Sequence, residues 1–291
     1  MPLSPRNRNV TAVVRHNSVQ NYDDPRGETD TQILIWQATD QEPVQEFEVT
    51  QTCHCIAVDG PTFYLGFDGG WLVRGNRNGD YGNYQILDEA IQAMDYFDSE
   101  VWVATAHRVQ AITNSQSLKL KLVDPSRPFW SNVVQIQAIG GYRHEGRKYI
   151  LVAGICNGHL YLKRAELDDR WADELRWQSW QSFGKFDVFP GADDVKYVLT
   201  ILPQGQVVFS AQDKLHLLDV TAEDPKIFEI SSSIYNDHPV IASSSSFLAV
   251  SHPRLTQSPS GAMGIRVFGR DQVNASALTQ LSFLRQVLPL K

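Results

Sequence analysis

The sequence predicts an all-β protein built from one repeated unit of four short strands. Three observations predict it. The segments that look ordered are short and rich in Val, Ile, Leu, Tyr and Phe. Turn residues separate them, and stretches with helical periodicity are almost absent. A paired motif of apolar strand, turn and apolar strand recurs along the chain.

The pair appears first as residues 11–16 and 31–37 (TAVVRH, TQILIWQ). It returns at 62–67 and 71–75 (TFYLGF, WLVRG), across the Asp68-Gly69-Gly70 turn, where Gly supplies positive φ. Further copies lie at 101–106 with 108–113 and at 148–156 with 159–164. The last two are 206–211 with 214–220 and 247–251 with 264–269.

Most pairs are flanked by further strand-like runs. Those that follow are 44–49, 84–87, 118–123, 175–180, 226–230 and 278–287. Those that precede are 55–58, 91–96, 133–139, 195–202 and 240–243. Four strands therefore recur about six times at a period of ~40–50 residues, the spacing of propeller blades. Radial packing lets each sheet cover its neighbours, so strands such as YILVAGI and KYVLTIL need not alternate. A helix is expected only as a minor insertion near 167–177.

In this pattern the chain resembles the β-propeller repeat superfamily over nearly its whole length, as a degenerate, WD-repeat-like member of no specific family. The Gly-His and Trp-Asp pairs of WD repeats are not in register; the nearest phrases are LIWQATD at 34–40 and LHLLDVT at 215–221. The resemblance implies a single propeller of six four-stranded blades over 10–291, after a flexible 1–9, and assigns no functional residue. A β-sandwich with irregular loops is the structural alternative. The first pair has no inner strand before Thr11, and ring closure would let residues 285–290 supply it.

Composition bounds the partners. The 291 residues are 42% hydrophobic and 20% charged, an ordinary globular balance. A net charge of -7 disfavours nucleic acid and anionic membrane. No apolar run reaches the ~20 residues of a membrane-spanning helix. The polar start, with Pro2 and Pro5, lacks the apolar stretch of a secretory signal. Three cysteines are too few and too odd for a disulfide framework, which predicts a reducing, cytoplasmic setting.

Several residue groups invite chemistry. Strand alternation predicts that Cys53 and Cys55 face one way and His54 the other. With no second ligand pair in the sequence, two buried thiols are expected there rather than a metal site. His16, His107, His144, His159, His216, His238 and His252 are scattered, without a nucleophile elbow, zinc-helix motif or phosphate loop nearby. They are expected in turns or at the surface. Residues 76–82 (NRNGDYG) resemble a calcium loop but lack its closing Glu, and are expected to form an ordinary turn. Trp171, Trp177 and Trp180 stand beside Asp168, Asp169, Asp173 and Glu174. They offer a sugar-stacking platform, or indoles packed between sheets, and the latter is expected.

Two central hairpins have long connections, residues 17–30 (NSVQNYDDPRGETD) and 252–263 (HPRLTQSPSGAM). Ring closure would make the first and last blades neighbours, with both loops on one face. Long loops in compact domains are functional or disordered. The partner-binding residues expected there are Tyr22, Arg26, His252 and Arg254, since Tyr and Arg dominate binding hot spots. Asp23, Asp24, Glu28 and Asp30 would add charge selectivity.

The expected function is a non-catalytic protein- or peptide-binding scaffold within a larger complex, with no catalytic residue, metal or cofactor assigned. Two other readings stay open: a hydrolase, lyase or lactonase using the axial channel, and a carbohydrate-binding lectin using the three Trp residues.

Overall fold

Strand-forming residues, β-branched and aromatic, recur through many of the strands of the computed structural model. It describes residues 10–18, 29–37, 45–49, 51, 53–59, 62–76, 80–113, 119–122, 135–156, 159–167, 175, 177–179, 181–184, 199–211, 214–231, 241–243, 247–252 and 264–269. The chain divides into two units, Met1–Phe129 and Trp130–Lys291.

The first unit holds three antiparallel sheets, each a meander of strands in chain order. Sheet 1 is β1 (Val10–Ser18), β2 (Thr29–Gln37) and β3 (Gln45–Val49). Sheet 2 is β4 (Cys53–Asp59), β5 (Thr62–Phe67), β6 (Trp71–Asn76) and β7 (Tyr81–Gln85). Sheet 3 is β8 (Ala93–Phe97), β9 (Glu100–Ala104), β10 (Val109–Thr113) and β11 (Lys119–Leu122).

The second unit repeats the plan. Sheet 4 is β12 (Ala138–His144), β13 (Arg147–Cys156), β14 (His159–Leu167) and β15 (Gln181–Phe183). Sheet 5 is β16 (Leu199–Leu202), β17 (Gln206–Ala211), β18 (Lys214–Asp219) and β19 (Ile227–Ser231). Sheet 6 is β20 (Ile241–Ser243), β21 (Phe247–His252) and β22 (Gly264–Gly269). Among the described residues, then, four sheets have four strands and two have three. The expected helix near 167–177 falls on β14's last residue and on residues mostly outside the described set.

First strands meet first strands. Within the first unit β4 packs on β8; within the second, β12 packs on β16 and β16 on β20. Sheet 2 is buried on both faces. One core joins Cys53, Phe63, Leu65, Phe67 and Val73. The other joins Ala57, Tyr64 and Leu72 to Ile91, Met94, Val101, Val103 and Ile112 of sheet 3 and the link before it. Two-sided burial explains why five of the six β5 residues are buried, where one-sided burial would have alternated. In the second unit, Tyr142, Leu151 and Leu162 of sheet 4 close on Ile201, Val207 and Phe209 of sheet 5. The close approach of β12 and β16 needs Gly140, where a Cβ would stand 2.6 Å from the Ile201 side chain.

Three local expectations are corrected. The first long connection is shorter than residues 17–30, because the β1–β2 ladder continues through Asn17 opposite Asp30 and Ser18 opposite Thr29. The strand expected at 175–180 is displaced: Trp177 makes a single bridge to Ala165, and the strand forms at Gln181–Phe183. Cys53 and Cys55 do not face one way. A bulge shifts the register, so that Cys53 opposes Phe67 while Cys55 opposes Gly66. The extra residue flips the alternation, and the two thiols enter opposite cores.

Candidate polar face at the hairpin-turn ends

In sheets 2 and 3 the β5–β6 turn, the β7–β8 link and the β9–β10 turn fall at one end of the strands. Asp68–Gly70 forms a short 3-10 turn in which Gly69 and Gly70 take φ of 61° and 75°. The turn is held from two sides. His54 Nε2 lies 2.7 Å from Asp68 Oδ1, joining the start of β4 to the turn. From the link, Ile86 N and Leu87 N donate to Gly70 O at 3.0 and 3.3 Å.

The β9–β10 turn is fixed similarly. Thr105 Oγ1 accepts from the backbone N–H of His107 and Arg108 at 3.3 and 3.1 Å. Arg108 then reaches the β7–β8 link, with Asp88 at 3.3 Å and Glu89 at 3.6 Å. The face is polar and cross-braced, and its side chains are spent largely on one another. Isolated exposed pairs contribute little stability, but here they fix the loops of adjacent sheets against each other. In the sequence His54 stands out only as a metal-ligand candidate, Asp68 only as a turn residue, and Arg108 not at all as a site residue. The available signal was a His at a strand start and an Asp in the following hairpin turn.

The thiols lie behind this face. Burial pushes the Cys53 thiol up from 9.0 to about 12, and burial also raises Cys55 well above its ordinary range. Cys55 Sγ donates to Ile91 O at 3.4 Å. These are packed, protonated groups rather than nucleophiles. Among the described residues, no group of three or more His, Cys, Asp or Glu converges as metal ligands.

In the second unit, Arg164 braces sheet 4 to sheet 5. It donates to Tyr142 Oη at 3.3 Å, to Val220 O at 3.5 Å and to Gln178 Oε1 at 2.9 Å, and lies over the Tyr149 ring. Tyr142 and Tyr149 stack with centroids 5.1 Å apart. Burial raises the Tyr142 hydroxyl pKa, against the pull of Arg164. Trp177 has the Lys163 ammonium 5.8 Å from its ring centroid, so a cation occupies the face a sugar would need. Trp171 and Trp180 lie outside the described residues.

The other sequence candidates separate. His216 is buried and stacked on Phe209, not in a turn. His159 is bonded to Ser182 at 3.2 Å. The 76–82 segment is closed by Asn76 and Asp80, whose side chains bond each other at 3.0 Å. Tyr22, Arg26 and Arg254 lie outside the described residues; His252 ends β21, opposite Gly264.

No family model matches the chain, and no curated protein matches it. Among solved structures, the β-propeller domain of Myceliophteria thermophila Cps50 (Swd1) is similar with a TM-score of 0.50 and 12% identity, over 95% of this chain and 88% of that one. The chain has the β-propeller fold. The Dos1 propeller matches with a TM-score of 0.47 at 13% identity, over 85% of this chain and 67% of that one. The Neurospora crassa Pan2 WD40 domain gives 0.48 at 12%, over 77% and 64%. In a propeller such meanders are blades, numbered here as their sheets, and the cross-braced face lies where the central hairpins of blades 2 and 3 turn. Among the described residues no helix is long and apolar enough to cross a membrane.

Proposed function

We propose that this propeller is a non-catalytic protein- or peptide-binding scaffold, acting inside the cell as a subunit of a larger complex. The observation that carries the proposal is the braced face of blades 2 and 3. His54–Asp68 and Arg108 with Asp88 and Glu89 tie turns and link together on buried strands. Rigid sheets presenting turns are how scaffolds hold a binding surface at low entropic cost.

The principal partner contacts are proposed for the first and last central hairpins, through Tyr22, Arg26, His252 and Arg254. The acidic residues Asp23, Asp24, Glu28 and Asp30 select a partner of complementary charge. Three free thiols fit a reducing compartment. Cross-linking of the full chain in native extract, followed by mass spectrometry, tests the assignment. Cross-links to one partner from residues beside these side chains are expected; cross-links confined to other hairpins would refute it.

A further inference from the structure

The last strand of blade 2 differs from the other outermost described strands. Those carry guards against strand addition: Glu46 and Glu48 on β3, Lys119 and Lys121 on β11, Glu229 on β19 and Arg266 on β22, while β15 is three residues long. The five residues of β7, YGNYQ, include no charge. Four of them are exposed, and β7 pairs with β6 on one edge and with no described strand on the other. Of the three exposed large hydrophobic side chains among the described residues, two are Tyr81 at 68% and Tyr84 at 41%.

Charge says what kind of strand would fit. Asp80 directly precedes β7, and Asp88 and Glu89 follow it closely, with no cation between residues 80 and 89. Asp80 is met by the Asn76 amide, and Arg108 offsets only part of the charge at Asp88 and Glu89.

We infer that the outer edge of β7 is a strand-addition site for an extended segment of a partner protein, uncharged at its centre and basic at its ends. Backbone N–H and C=O groups along the edge pair with the incoming strand and supply affinity. Tyr81 and Tyr84 supply contact area at low entropic cost. The acidic flanks set the charge of the guest. This surface is independent of the long hairpin loops, and either assignment stands if the other fails.

The test uses the full chain and a synthetic peptide of alternating Val and Thr with paired Lys at each end. Peptide anisotropy reads affinity, and amide hydrogen exchange reads location. Binding should slow exchange in β7 and leave β11 and β19 unchanged. Peptides methylated at every central amide should bind about tenfold or more weakly, and Tyr84→Ser should weaken binding similarly. A peptide with Glu ends should bind several-fold more weakly at low salt than at high salt relative to the Lys peptide. Equal binding by the methylated peptides, absence of binding, or protection away from β7 would overturn the inference. So would a peptide-independent dimer that protects β7 and is lost in Tyr84→Ser, because the occupant would then be a second copy.

Discussion

His54 Nε2 stands 2.7 Å from Asp68 Oδ1 and ties the start of a blade to the turn of its own central hairpin. With the carboxylate ionised, the ring nitrogen donates. Because Asp68 is largely exposed, the bond is expected to contribute about 1 kcal/mol or less. His54→Ala should lower unfolding stability by that amount, and adding Asp68→Ala should cost little more. A double-mutant cycle in urea checks the coupling; fully additive losses would show that the two residues act separately.

The thiols predict an alkaline weakness. Folded Cys53 ionises at about 12 rather than 9.0, so the folded state holds its proton where the unfolded chain has lost it. Its contribution is therefore complete below pH 9.0 and falls as pH climbs toward about 12, with a slope of up to about 1.4 kcal/mol per pH unit for that one group. Cys55, raised by burial, adds in the same direction. Chemical unfolding measured across this range should show the loss, and Cys53→Val should flatten it. An unchanged slope in that variant would place the alkaline sensitivity elsewhere.

Gln110 offers a stabilising substitution. It is buried on β10, and among the described residues its Oε1 has no hydrogen-bond partner. An orphaned buried carbonyl of this kind costs about 1–3 kcal/mol. Gln110→Met keeps the volume and removes the orphan, so the midpoint of thermal unfolding should rise. A fall would mean that the amide holds a partner in solution.

Gly140 should tolerate no side chain. A Cβ there meets Ile201 at 2.6 Å, between the first strands of blades 4 and 5. Gly140→Ala is expected to destabilise by about 1–3 kcal/mol through overpacking. A neutral result would show that the two strands can move apart without cost.

Hairpins were the legible part of the sequence because their signal is local: an apolar run, a Gly or Asn turn, an apolar run. The β5–β6 and β13–β14 pairs fall where that pattern put them. What escaped depends on distant partners. The bulge at His54 reverses the facing of Cys55 and reads in sequence as unbroken alternation. The last strand of blade 4 moved to Gln181–Phe183, since Trp177 was apolar enough to suggest a strand but bridges only Ala165. The polar face was invisible for the same reason: Arg108 and Asp88 are twenty residues apart and meet only after two sheets have packed.

Partner binding through the two long hairpin connections is the central claim, and the ladders fix where to cut. Residues 19–28 and 253–263 are replaced by Asn-Gly turns, which leaves the Ser18–Thr29 and His252–Gly264 pairings intact. Parent and shortened chains are then compared by quantitative pull-down of the native partner, with the melting temperature of each recorded. The account predicts a nearly unchanged melting temperature and at least a tenfold loss of association, since the replaced residues are mostly polar and include three of the four proposed hot spots, Tyr22, Arg26 and Arg254. Full-strength capture of the same partner by the shortened chain would contradict it.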